Sequence, residues 1–175
     1  VPLKGHKGLA YEGGAGVPFI VKWPGVTKAN TRNNEYFIIE DMFPTFLEMT
    51  GIDSFSQDSD RIDGRSIVPL IKGNRKPFKE RAIFWHFPHI MHEPYHPYSS
   101  VRKGDWKLIY FHMERTLELY NVQDDIGESI DLAQKSPNKT KELVTILSNH
   151  LRDTKAGMSI DKNTNKPVEY PDEIL

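Results

Sequence analysis

The sequence predicts an α/β protein whose C-terminal half is an antiparallel sheet with one helix laid across it. Three observations predict this. The apolar run Val17-Pro18-Phe19-Ile20-Val21-Lys22-Trp23 does not alternate with polar residues and is closed by Pro24-Gly25. It reads as a strand covered on both faces, as in parallel or mixed sheets. After residue 80, short apolar segments recur between tight-turn sequences, the pattern of a meander. One well-patterned helix follows them. A chain of 175 residues can bury about 70% of its unfolded surface, enough for a real core.

The elements follow in order. Residues 4–16 hold five glycines in thirteen positions, a composition that resists helix and lets the backbone approach another surface closely. Residues 35–49 carry Phe37, Ile38, Met42, Phe46, Leu47 and Met49 at helical spacing. Pro44 kinks that helix, or Asp41 caps a second one just before it. Gly51 is a natural stop. Residues 53–60 form a polar loop, Asp63-Gly64 turns into an apolar segment at 67–71, and the polar stretch 73–80 is the candidate boundary. Beyond it, residues 81–87, 106–112 and 117–122 read as strands, with turns at Lys103-Gly104-Asp105 and Met113-Glu114-Arg115. Residues 142–151 place Leu143, Ile146, Leu147, His150 and Leu151 on one helical face, entered through Ser136-Pro137. The tail from Ala156 is polar and holds two prolines, and reads as an extended strap.

Composition excludes several classes. The 23 Lys and Arg against 24 Asp and Glu leave a net charge of −1, which argues against nucleic-acid binding by bulk positive charge. Mean hydropathy is −0.55, and no apolar run approaches the ~18 residues of a membrane span. The absence of cysteine excludes disulfides, thiolate metal sites and a cysteine nucleophile within these residues. The start at Val1-Pro2-Leu3, without Met or signal-peptide features, reads as a piece of something longer.

Lys7 stands between Gly5 and Gly8 in a loop leading into the apolar run. A lysine there can present a point charge to an anion while glycine amides come close; the alternative is an exposed lysine in a loose arm. Four of the seven histidines, His86, His89, His92 and His96, fall within eleven residues. Pro88, Pro94 and Pro97 prevent the helix that would align them for a metal. A His- and aromatic-rich loop lining a polar ligand and plain loop packing both remain open. Asp58, Asp60, Asp63, Asp124 and Asp125 sit in polar turns, where solvated roles are the default. No nucleophile–base–orienter spacing is present. Asn138-Lys139-Thr140 is a glycosylation sequon, informative only for a secreted eukaryotic protein.

The segment Lys7-Gly8-Leu9-Ala10-Tyr11-Glu12-Gly13-Gly14 followed by Val17-Pro18-Phe19-Ile20 and Trp23-Pro24-Gly25 resembles the C-terminal third of the type I, formylglycine-dependent sulfatases. So do Asp41-Met42-Phe43-Pro44-Thr45-Phe46-Leu47, Ile62-Asp63-Gly64-Arg65-Ser66 and Trp85-His86-Phe87-Pro88-His89. Val101-Arg102-Lys103-Gly104-Asp105-Trp106-Lys107-Leu108 and Glu118-Leu119-Tyr120-Asn121 through Asp131-Leu132 complete the series, in the family's order across residues 1–155.

The resemblance implies the alkaline-phosphatase-like superfamily. Residues 1–78 would be the C-terminal portion of its catalytic α/β domain. Residues 79–175 would be a small domain with a four-stranded antiparallel sheet packed on a helix. It implies hydrolysis of sulfate esters of carbohydrates or aryl groups, with a formylglycine and a calcium ion supplied by the N-terminal part of the same sulfatase. Lys7 matches the family lysine that contacts the sulfate. His86 and His89 are expected to shape substrate selection or to seal an interface between the two domains. The maturation motif and the acidic calcium cluster are absent from these residues, so the chain is expected to be inert alone. Gly16 stands where the family usually has Arg. An exported compartment is implied by analogy. The alternatives are a phosphoester or phosphonate hydrolase of the same superfamily and a non-catalytic module that binds sulfated glycans.

Overall fold

The computed structural model of the protein describes residues 2–52, 62–74, 81–89 and 95–175. The expected loop 53–60 with Asp58 and Asp60, residues 75–80 of the expected boundary, and His92 lie outside the described residues. Two compact units are present: Val1–Val17 with Ala82–Leu175, and Pro18–Arg81.

The first unit is built on a four-stranded antiparallel sheet in the order β1-β2-β3-β4. Its strands are β1 (Ala82–Phe87), β2 (Tyr98–Lys103), β3 (Trp106–Phe111) and β4 (Thr116–Asn121). Pairing of Lys103 with Trp106 leaves Gly104-Asp105 as a two-residue hairpin loop, the tightest connection antiparallel strands allow. Pairing of Phe111 with Thr116 leaves a four-residue loop that contains Met113-Glu114-Arg115. Strand alternation then assigns each side chain to a face.

One face carries Val101, Leu108, Tyr110 and Leu119, and packs against Leu143, Val144, Leu147 and Leu151 of the long helix. That helix runs Pro137–Asp153, five residues earlier than the apolar spacing starts, because Pro137 presets the first helical φ and has no amide to satisfy. Thr140 Oγ1 donates to the Ala133 carbonyl at 2.8 Å and fixes the entry. The other face carries Tyr98, Ile109, Tyr120 and Val122 and is covered by the N-terminal segment through Ala10 and Tyr11. That segment contains a single helical turn, α1 (Glu12–Ala15).

The tail is not a plain extended strap. Ile160–Asp161 pairs with Lys166–Pro167 in a short antiparallel ladder, and a 3-10 turn spans Pro171–Glu173. Arg115 holds it from the β3–β4 loop through Asp161 at 2.7 Å and Glu169 at 2.8 Å.

The second unit contains α2 (Met42–Met49), preceded by a 3-10 turn at Ile39–Asp41, and α3 (Val68–Ile71). The expected helix over 35–49 therefore begins late, just after Asp41, but the Asp41 side chain makes no cap hydrogen bond to it. Pro44 falls in the first turn of α2, where its missing amide proton leaves nothing unsatisfied. The fully buried Asp41 accepts from the Ile38 amide at 2.9 Å, the Arg65 amide at 2.7 Å and Arg81 Nη1 at 2.6 Å. Ile67 and Leu70 form a small core with Phe37, Met42 and Ile71.

The expected buried strand at 17–23 does not form. Val17 is 84% and Ile20 92% exposed, and among the described residues no strand pairs with this run. Apolar character alone does not make a strand; its amides and carbonyls need a neighbouring strand.

Candidate functional site

Lys7 sits at an exposed turn between Lys4 and Leu9. The Leu9 amide donates to the His6 carbonyl at 3.0 Å, and the Gly13 amide donates to the Lys4 carbonyl at 2.8 Å. Gly8 adopts φ +91°, and a Cβ there would stand 2.5 Å from the Tyr95 ring. Only glycine combines that left-handed backbone with so close an aromatic neighbour. His6 meets the same ring edge-on at 6.1 Å. The lysine is thus displayed on a backbone fixed from two sides, and it forms no ion pair among the described residues.

The segment carrying Lys7 is fastened to the sheet by buried charges. Glu12 is 7% exposed, while Lys107 of β3 and Glu128 have no exposure at all. Lys107 Nζ lies 3.0 Å from Glu12 Oε1 and 3.1 Å from Glu128 Oε1. Arg102 Nη1 of β2 takes Glu12 Oε2 at 3.0 Å, and the Glu12 amide donates to Glu128 Oε2 at 2.7 Å. Burial raises the Glu128 pKa, and Lys107 together with the Glu12 amide opposes the rise. Beside this cluster, Tyr11 and Tyr120 both donate to Glu118 Oε2, at 2.9 Å and 2.7 Å. Burial, reinforced by Glu118, raises both phenol pKa values and keeps them donors.

His86 lies on the opposite face of the sheet, with the helix and the tail. Its Nδ1 is 2.8 Å from Ser99 Oγ, and its Nε2–H donates to the Gly157 carbonyl at 3.0 Å. His89 is exposed and packs edge-on against Phe87 at 5.4 Å. Phe87 belongs to the cluster on the Lys7 side. The fold therefore directs His89 and Lys7 to one face and His86 to the other.

Sequence reasoning missed His112, which continues the His86 chain. Ser159 Oγ donates to the Pro88 carbonyl at 2.7 Å, so His112 Nδ1–H donates to Ser159 Oγ at 2.7 Å, and its Nε2 lies 2.8 Å from Ser99 Oγ. Burial, helped by His86, pushes the His112 pKa down to about 3. The unfolded chain, with an imidazole near 6.5, binds this proton first. Stability is therefore full above about pH 6.5 and falls below it, by up to about 1.4 kcal/mol per pH unit from this group. Urea unfolding near pH 7 and near pH 5 tests this. Equal stability at both would contradict it.

Among the described residues, no group of three His, Asp or Glu could hold a metal ion, and no helix is long and apolar enough to cross a membrane. The described residues do not fit a calcium site, and the sequence, with no cysteine or matching serine motif, does not fit a formylglycine. Asp125, one of the expected turn acids, accepts from the Ser129 and Ile130 amides at 2.7 Å and 2.9 Å, as a turn residue does.

The sheet thus carries one helix on one face and a lysine-bearing glycine loop on the other, as expected for the C-terminal region of an alkaline-phosphatase-like enzyme. The family model for N-sulphoglucosamine sulphohydrolase, C-terminal, matches residues 6–157, and the chain belongs to that family. A Formosa agariphila protein named Sulfatase is 34% identical over 159 residues, which cover 86% of this chain and 29% of that protein. A Bacteroides thetaiotaomicron N-acetylglucosamine-6-O-sulfatase is 24% identical over 164 residues, 90% of this chain and 29% of that protein. The crystal structure of Ps i-CgsB in complex with k-i-k-neocarrahexaose superposes with a TM-score of 0.69 at 23% identity, covering 93% of this chain and 35% of that one. The chain thus spans less than a third of the length of these two sequence relatives.

Proposed function

We propose that this chain is the C-terminal part of a sulfatase that hydrolyses sulfate esters of carbohydrates or aryl groups, with Lys7 holding the sulfate. The observation that carries the reading is the exposed Lys7 ammonium on a backbone gripped between Tyr95 and the α1 turn. A fixed cation of this kind stabilises negative charge as it develops on the sulfuryl oxygens and the leaving oxygen. The relatives named as sulfatases support the same reading.

In this proposal the N-terminal part of the same polypeptide supplies the formylglycine and the calcium ion. Residues 1–78 complete the catalytic domain, and 79–175 form the small domain. His89 borders the substrate, while His86 ties the end of β1 to the Gly157 carbonyl. The full-length protein works in an exported compartment, which fractionation of cells would check.

Turnover of an aryl sulfate and an aryl phosphate by the full-length protein tests the activity. Faster sulfate turnover is expected; preference for phosphate would replace the reading with a phosphoester hydrolase, and binding of sulfated glycan without turnover would replace it with a binding module. A His89→Ala variant should shift preference among sulfated sugars by several-fold. Unchanged preference would remove His89 from the substrate border.

A further inference from the structure

Four charged side chains, those of Glu12, Arg102, Lys107 and Glu128, converge where the N-terminal segment meets the sheet. Lys107 and Glu128 are wholly buried, and Glu12 nearly so. Buried ion clusters are often no more stabilising than apolar residues of the same volume. What they do provide is a fixed position, because each oxygen must meet a particular donor.

Glu12 is held at three points. Its two carboxylate oxygens meet Lys107 and Arg102, and its amide meets Glu128. The next two residues form the floor under the Lys7 turn. A Cβ on Gly13 would stand 2.5 Å from the carbonyl oxygens of Lys4 and Gly5. A Cβ on Gly14 would stand 2.6 Å from the His6 carbonyl oxygen and would collide with that of Leu9. The carbonyls on both sides of Lys7 thus rest on the glycines that Glu12 anchors.

Building on the sulfate-holding role proposed for Lys7, we propose that Glu12 is a positioning residue for Lys7, locked by Lys107, Arg102 and Glu128 so that the ammonium is set at its working place. Loss of the lock moves the lysine without removing it. Because misplacement of about 1 Å can cost up to about 10²-fold in rate, Glu12→Gln is expected to lower kcat about 10-fold with little change in KM.

The test is a double-mutant cycle on the full-length protein, with Glu12→Gln, Lys7→Ala and the pair assayed on an aryl sulfate well below each variant's melting temperature. If Glu12 acts through Lys7, Glu12→Gln lowers kcat in the parent but leaves it within about 2-fold in the Lys7→Ala background. The same fold-loss in both backgrounds, or no loss in the parent, overturns the proposal while leaving the Lys7 assignment intact. Lys7→Ala with unchanged kcat overturns the assignment itself and the positioning role with it. Should Glu12→Gln fail to fold, Gly14→Ala enters the same cycle with the same expectations. It disturbs the floor and leaves the buried charges in place.

Discussion

Replacing Lys107 with Met lowers the unfolding free energy by about 3–5 kcal/mol, the usual consequence of removing one partner from a buried ion pair. The side chain has no exposure and stands 3.0 Å and 3.1 Å from two carboxylates. Without it, Glu128 keeps only the Glu12 amide as a partner among the described residues, beside a Glu12 carboxylate that retains Arg102. Glu128 must then either stay charged and buried or take up a proton. The penalty arises from that stranded carboxyl more than from the lost attraction. Adding Glu128→Gln to Lys107→Met should therefore restore part of the stability. Urea unfolding of the three proteins is the measurement, and a loss below about 1 kcal/mol for Lys107→Met would show that the cluster is not the fastening described.

The second large effect concerns Lys7. On the proposed function, Lys7→Ala lowers kcat of the full-length protein on an aryl sulfate by about 10²–10³-fold, the range seen when one fixed group that stabilises developing charge is removed. Thermal stability should hardly change. The turn is kept by the backbone bonds of Leu9 and Gly13 and by the contact of Gly8 with Tyr95, none of which uses the lysine side chain. A kcat within a few-fold of the parent would take Lys7 out of the sulfate site.

The meander was legible because its signals are local. Lys103-Gly104-Asp105 announces a hairpin, and the helix after Ser136-Pro137 shows its apolar face at the right spacing. The run at 17–23 has the composition of a strand but pairs with none among the described residues. A strand also needs another strand alongside. Residues 35–38 misled because Phe37 and Ile38 keep helical spacing with α2 although the helix starts only at Met42.

Lys107 is the instructive omission. It interrupts Trp106-Lys107-Leu108-Ile109-Tyr110, and a lysine at the centre of an apolar strand must find an anion or remain outside. That signal was present, but the partner was not visible, because Glu12 lies 95 positions away.

By itself, then, the sequence determined the antiparallel meander, its helix, the glycine loop around Lys7 and the family pattern that runs through them, since each is written in neighbouring residues. The tertiary structure alone decided which faces His86 and His89 take, that Glu12 meets Lys107 and Glu128, and that the Lys7 turn rests on Gly13 and Gly14. Those relations depend on strand register and on segments about a hundred residues apart being folded onto one sheet, and no local spacing encodes them.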